Sequence, residues 1–295
     1  MLQFKKIAIT NLQGGLGNQM FQYAVARATG YKVYFDLQFL KNNSVSVENF
    51  TARSFELSIF KNINAKEISA KYFNFIKSKF YKKVFRLNFR IINQTENEFV
   101  DINTKSSNLY LNGYFQSEKY FSNYRAKILD DFMFPALDTK NKLIESQIKA
   151  QSNSVSIHIR RGDYIKSKAV LAYHGVLPLF YYEVAINKLK EKYNNDIQLY
   201  FFSDDINFIK QNFGKYPNSV IVEGNTNQDS WKDMALMSAC KHHIIANSSF
   251  SWWGAWLGGL KGITYAPRHF FSPKVNYNID DYIPSSWTIV DYDFE

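Results

Sequence analysis

Ser156-Ile157-His158-Ile159-Arg160-Arg161-Gly162-Asp163-Tyr164 is the stretch on which the fold turns. Val155, Ile157 and Ile159 alternate with Ser156, His158 and Arg160. A period of two sends His158 and Arg160 to one face of a strand while the aliphatic residues anchor the other. Gly162 then allows a sharp exit. Crowding an imidazole, two guanidiniums and a carboxylate at the end of a buried strand is costly unless a charged ligand or a dense ion-pair network compensates. An Asp163–Arg161 pair acting as structural glue is the competing reading. Strand ends in open α/β sheets are where ligands sit, so the stretch predicts such a sheet and a polyanion at its edge.

Outward from this strand the pattern repeats. Residues 155–160, 197–202, 219–222, 243–246 and 263–266 read as strands, separated by helical patterns opening near Leu179, Asn207, Asp229 and Ser249. Trp231, Met234, Ala235, Leu236 and Met237 form the buried stripe of the third helix. A βαβ series of this kind predicts a parallel, doubly wound sheet. The chain also starts this way, with a strand over 7–12, a glycine turn, a helix over 18–29 and a strand over 33–36, and then reads as irregular. Asp130-Asp131-Phe132-Met133-Phe134-Pro135 and a polar helix over 139–151 mark a passage between two domains, 1–135 and 136–295.

Composition narrows the classes. With 46% hydrophobic residues, 295 residues bury a substantial core, which excludes disorder. The apolar run Ile7-Ala8-Ile9 is too short for a secretion signal, and no segment approaches the roughly 20 apolar residues that span a bilayer. The single Cys240 excludes an internal disulfide and a cysteine-built metal site, and reads as a packed thiol in a reducing cytoplasm. A net charge of +10 favours acidic partners: a nucleotide, nucleic acid or an anionic membrane surface. The excess is local, because between residues 66 and 90 Lys66, Lys71, Lys77, Lys79, Lys82, Lys83, Arg86 and Arg90 face only Glu67. Phe73, Ile76, Phe80, Val84 and Leu87 interleave at helical spacing, so the segment reads equally as a basic helix that lies on the anionic inner membrane face or tracks a phosphate backbone, or as an ordinary surface helix.

Three further motifs carry chemistry. Gln13-Gly14-Gly15-Leu16-Gly17-Asn18-Gln19-Met20-Phe21-Gln22 lies between a strand and a helix, where glycines let backbone approach a ligand. It lacks the Gly-Lys-Ser/Thr of a phosphate loop and the third glycine of a dinucleotide fingerprint. Phe201-Phe202-Ser203-Asp204-Asp205 ends a strand with two carboxylates. Metal needs more oxygen ligands than this pair supplies, so Asp205 is expected to cap the next helix and Asp204 to accept from a nucleotide base or ribose. Asn247-Ser248-Ser249-Phe250-Ser251-Trp252-Trp253-Gly254 opens a helix, a phosphate seat or a plain N-cap, with Trp252, Trp253 and Trp256 as packing or sugar-stacking residues. His158, Arg160, Asp204 and Ser248 thus converge from three strand ends on one crevice.

In that order, these motifs resemble the α-1,2-fucosyltransferases, glycosyltransferase family eleven. The likeness rests on the segments starting at Gly14, His158, Phe202 and Asn247, with Gly113-Tyr114-Phe115-Gln116, and spans nearly the whole chain. It implies an α/β fold of GT-B type, two Rossmann-like domains facing a cleft, with the acceptor mainly against 1–135 and GDP-fucose in 136–295. The implied reaction is inverting, metal-independent and cofactor-free transfer of L-fucose from GDP-β-L-fucose to the 2-hydroxyl of a terminal galactose in an oligosaccharide. The short, signal-less form looks like bacterial, cytoplasmic members, and nucleic acid drops out as a partner. By motif position, Arg160 looks like the diphosphate-binding arginine, with Arg161 beside it and His158 a donor neighbour. Asp204 and Asp205 look like the base or ribose partners, and Asn247, Ser248, Ser249 and Phe250 like the loop at the phosphates. Gly15, Asn18 and Gln19 complete the expected donor contacts. Some relatives place a glutamate base shortly after the arginines, but Ile165-Lys166-Ser167-Lys168 offers none. The base is then one of Asp163, Asp36, Glu56 and His174.

Overall fold

Residues 6–47, 51–69, 71, 73, 89–94, 97–102, 107–214 and 216–292 are described by a computed structural model. The chain folds as two compact units, Met1–Pro135 and Ala136–Glu295.

In the first unit β1 (Ile7–Asn11), β2 (Lys32–Asp36), β3 (Ala65–Glu67), β4 (Phe89–Asn93) and β5 (Asn108–Asn112) form one sheet in the order β3-β2-β1-β5-β4, with every pairing parallel. The stretch after β2 is therefore not irregular: it supplies three more strands. They escape the period-two reading because β3 is three residues of Ala-Lys-Glu and β4 buries only Ile92. The helix expected across 66–90 fails at both ends, since Lys66 stands on β3 and Arg90 on β4. Most of the stretch between them lies outside the described residues.

The second unit carries β6 (Ser154–Ile159), β7 (Gln198–Ser203), β8 (Ser219–Ile221), β9 (His242–Ile244), β10 (Thr264–Pro267) and β11 (Thr288–Val290), also all parallel. Their order is β11-β10-β9-β6-β7-β8. The chain winds outward from β6 through β7 and β8, then returns to the other side of β6 for β9, β10 and β11. That reversal puts a topological switch point between β6 and β9, where the two connections diverge and leave a crevice at the carboxyl ends.

Burial explains why β6 forms where the sequence predicts it. Val155, Ile157 and Ile159 join Leu199, Phe201, Tyr181, Ile186 and Leu189 in the core. The opposite face is buried too, with Ser156 Oγ 2.8 Å from His243 Nδ1. Trp252 and Trp253 are 1% and 0% exposed, and Trp252 Nε1 donates to the Tyr282 carbonyl at 2.8 Å, which makes them packing residues. Cys240 is a buried free thiol. Among the described residues no single helix is long and apolar enough to cross a membrane.

Candidate active site

Register decides the geometry of the second unit. β6 pairs with β7 so that Ile159 faces Ser203, which leaves Arg160 and Asp204 one step beyond the paired ends of adjacent strands. Arg160 Nη1 meets Asp204 Oδ2 at 3.0 Å. The other oxygen, Asp204 Oδ1, accepts from the Arg161 and Gly162 amides, each at 3.0 Å. Burial by itself would push this carboxyl up, yet the Arg160 charge and the two amides outweigh it and hold it below its ordinary value. The carboxylate expected to read a nucleotide base is thus engaged by the arginine loop, and it orients that loop.

Gly162 is required for this arrangement. A Cβ built there would stand 2.6 Å from Asp204 Oδ2 and 2.8 Å from its carboxyl carbon. Gly162→Ala is therefore expected to drive the carboxylate off Arg160 and lower transfer about tenfold or more while the protein still folds, read as kcat/KM beside a melting curve.

Arg161 serves the framework. Its guanidinium carbon lies 3.8 Å from the Phe208 ring centroid and its Nε 3.5 Å from Asp205 Oδ2. Asp205 in turn caps the helix Ile206–Phe213 by accepting from the Phe208 amide at 3.0 Å. Arg161 and Asp205, both expected to touch the donor, are held against this helix.

His158 is 4% exposed, 5.8 Å from the Phe250 ring, and its Nδ1 is buried without a hydrogen-bond partner among the described residues. Burial, reinforced by the Arg160 charge, pushes its pKa down to about 3. A neutral imidazole results, so His158 brings no positive charge to an anion at neutral pH.

Across the switch point, Ser248 caps the helix Ser249–Gly258 by accepting from the Phe250 amide at 3.3 Å. Ser249 and Phe250 are half-buried in its first turn. Asn247 is buried, and its Nδ2 donates to the carbonyls of His174 (2.9 Å) and Gly175 (3.3 Å). A fixed cation at the end of β6 and a helix N-terminus after the neighbouring β9 make an arrangement that can seat a diphosphate.

The remaining base candidates separate on geometry. The Asp163 side chain lies outside what is described. The His174 imidazole stacks on Tyr164 at 4.7 Å and 16° and contacts Tyr173 and Phe271. In the first unit Asp36 is 3% exposed, with one oxygen taken by the Tyr110 hydroxyl (2.9 Å) and the other by the Gln38 amide (3.0 Å). Glu56 differs: it is half-buried, and among the described residues its Oε2 alone is hydrogen-bonded, by the Leu16 amide at 3.2 Å. Burial raises its carboxyl above the ordinary value against the opposing pull of Arg53 and that amide.

The glycine loop follows β1 at the first unit's own switch point, beside β5. Gly14 takes a φ of 75°, and a Cβ there would meet Asn18 Nδ2 at 2.4 Å. Gln19 is fully buried. Its Nε2 donates to the Gly14 and Ser54 carbonyls and its Oε1 accepts from the Glu56 amide, so it braces the loop where a ligand contact was expected. Gln22 does the same, accepting from the Gln13 amide and donating to the Gly113 carbonyl. Asn18 is half-buried and accepts from Gln116 Nε2 at 2.7 Å, while Gly15 packs against Arg53.

Sequence reasoning singles out neither Tyr164 nor Asp233. Asp233, in the first turn of the helix Trp231–Ala239 that follows β8, accepts from Asn225 Nδ2 at 2.7 Å, and Asn225 also exchanges hydrogen bonds with Asn141. Burial lifts the Asp233 pKa to about 7. No local signal in the sequence marks it, because its setting depends on Asn141, 84 residues from Asn225.

Two Rossmann-like units, with an arginine and a helix end at the second unit's switch point, make a GT-B-type scaffold. The chain belongs to glycosyl transferase family 11, whose model matches residues 2–290. It is 34% identical to an α-1,2-colitosyltransferase of Escherichia coli over 97% of this chain and 99% of that protein. It is 28% identical to the galactoside 2-α-L-fucosyltransferase SEC1 of Bos taurus, over 57% of this chain and 47% of that one. In fold it is similar to the fucosyltransferase NodZ from Bradyrhizobium, at a TM-score of 0.50 and 14% identity over 86% of this chain and 93% of that chain.

Proposed function

We propose that this enzyme transfers L-fucose from GDP-β-L-fucose to the 2-hydroxyl of a terminal galactose, with inversion and without a metal ion. The observation that carries the reading is Arg160, fixed by Asp204 at the end of β6 and neighbouring the Ser248 helix end across the switch point. Loss of GDP builds negative charge on the leaving diphosphate, and preorganised donors stabilise that charge in the transition state. Because Arg160 and the helix end supply the neutralising charge, the rate is expected to persist in excess chelator. Loss of activity on chelation with recovery on adding Mn²⁺ would contradict the metal-independent reading.

The transition state of glycosyl transfer is oxocarbenium-like, so the acceptor hydroxyl attacks late and a base adds only about 100-fold. Of the four candidates Glu56 suits that role best, with a raised carboxyl and one hydrogen bond.

With Asp204 engaged by the arginine loop, the guanine reader in this proposal is Asp233, which stands in the first turn of the helix after β8, a strand of the same parallel sheet as β6. An ionised carboxylate accepts from the N1–H and N2–H edge of guanine, and a protonated one loses that pairing. Since burial holds Asp233 near 7, GDP affinity is expected to be full above that pH and to weaken as pH falls through it, by up to about tenfold per unit. Asp233→Asn should flatten the profile. A GDP affinity independent of pH between 5 and 8 in the parent enzyme would remove Asp233 from the base site.

A second donor reading comes from the colitosyltransferase, which matches nearly the whole chain. Colitose lacks one hydroxyl that fucose carries, and a site built around a hydroxyl discriminates strongly against its loss. The test is kcat/KM for GDP-fucose against GDP-colitose on one galactoside. Preference for GDP-fucose supports the proposal, and preference for GDP-colitose replaces the donor while leaving the diphosphate seat.

A further inference from the structure

We propose that Tyr164 is a positioning residue that locks the two halves of the diphosphate seat together. The inference rests on the reading of that seat given above and adds what holds it in register.

Tyr164 lies in the short helix Gly162–Lys166, four residues beyond Arg160, and is 7% exposed. It touches both sides of the switch point. The Arg160 guanidinium lies 5.6 Å from the Tyr164 ring centroid, a cation held against an aromatic ring. The phenol hydroxyl donates to the Asn247 carbonyl at 3.0 Å, within the loop that leads into the Ser248 cap.

A third contact closes the circuit. The Tyr164 ring stacks on the His174 imidazole at 4.7 Å, and the His174 carbonyl accepts from Asn247 Nδ2 at 2.9 Å. Tyr164, His174 and Asn247 are thus bound to one another in a ring of three contacts, with Arg160 resting on one of its members. Asp204 also constrains Arg160, tying it to the end of β7. The tyrosine couples the guanidinium to the β9 side, because its ring meets the cation and its hydroxyl meets the loop carbonyl.

The seat contacts two phosphates only when Arg160 and the Ser248 loop keep their spacing. Loosening it should therefore weaken GDP much more than GMP. A tyrosine that merely filled space would, when altered, lower the melting temperature and leave the ratio of the two affinities unchanged.

The experiment is calorimetric titration of GDP and GMP into the full chain carrying Tyr164→Phe or Tyr164→Leu, beside the parent. Phenylalanine keeps the ring under Arg160 and removes the hydroxyl. Leucine removes both, and if it fails to fold, the phenylalanine variant still decides. The parent should prefer GDP; Tyr164→Phe should shrink that preference about threefold and Tyr164→Leu about tenfold, with GMP affinity nearly constant. A GDP preference preserved in folded Tyr164→Phe, or lost equally for GMP and GDP, would overturn the role of Tyr164 while leaving the seat intact. A parent enzyme with no preference for GDP over GMP would overturn the seat itself and this inference with it.

Discussion

Arg160→Ala is expected to abolish transfer while leaving the fold intact. The guanidinium is 21% exposed and its partner Asp204 27%, so the stability lost with the ion pair should be about 1 kcal/mol or less. Catalysis should suffer far more. Removing charge-assisted donors from a leaving diphosphate costs roughly 3 to 5 kcal/mol in the transition state, which is about two to nearly four orders of magnitude in rate. Arg160→Lys should recover only part of it, since a point charge cannot reproduce two parallel N–H donors and sits less well against the Tyr164 ring. Single-turnover rates with a melting curve check both variants. Near-normal turnover by a folded Arg160→Ala enzyme would contradict the assignment of the donor seat.

For Asp204→Asn the expected result is a slower enzyme with unchanged nucleotide choice. The amide oxygen still accepts from the Arg161 and Gly162 backbone, but the –NH₂ group then faces Arg160 Nη1, donor against donor. Arg160 should swing away, and about 1 to 3 kcal/mol of transition-state stabilisation should go with it. GDP selectivity over other nucleoside diphosphates should hold. A variant that turns over normally but accepts other bases would return the base-reading role to Asp204. Because the folded carboxyl lies below its ordinary value, its stabilising effect is full above the unfolded pKa and fades as pH falls through the folded one. The parent should lose this increment in acid, and the asparagine variant should lack it throughout.

Much of the second unit was legible in the chain because β6, β7, β9 and β10 are buried along most of their length. Runs such as Ile197, Leu199 and Phe201, punctuated by polar turns, leave few alternatives to a parallel sheet. The observed β7 and β9 differ from the expected spans only at their ends. β3 and β4 could not be read in the same way: three residues, or a strand with one buried side chain, show no period to detect. Local chemistry was equally readable at the caps, where Asp205 and Ser248 do what their positions suggest.

What the sequence concealed was partnership. Gln19 looks like a ligand contact until its amide is found occupied by Gly14, Ser54 and Glu56. Asp204 looks like a free acceptor until register brings it to Arg160 across two strands. Asp233 looks like an ordinary helix-start acid until Asn225 and its Asn141 partner close around it. Each of these depends on residues distant in the chain, which no window of sequence contains.

The most direct test of the central claim is linkage analysis of the product formed from GDP-β-L-fucose and a β-galactoside. The account predicts one fucose, α-linked to O2 of the terminal galactose. Transfer to another hydroxyl, a β-linked product or no fucosyl transfer at all would contradict it.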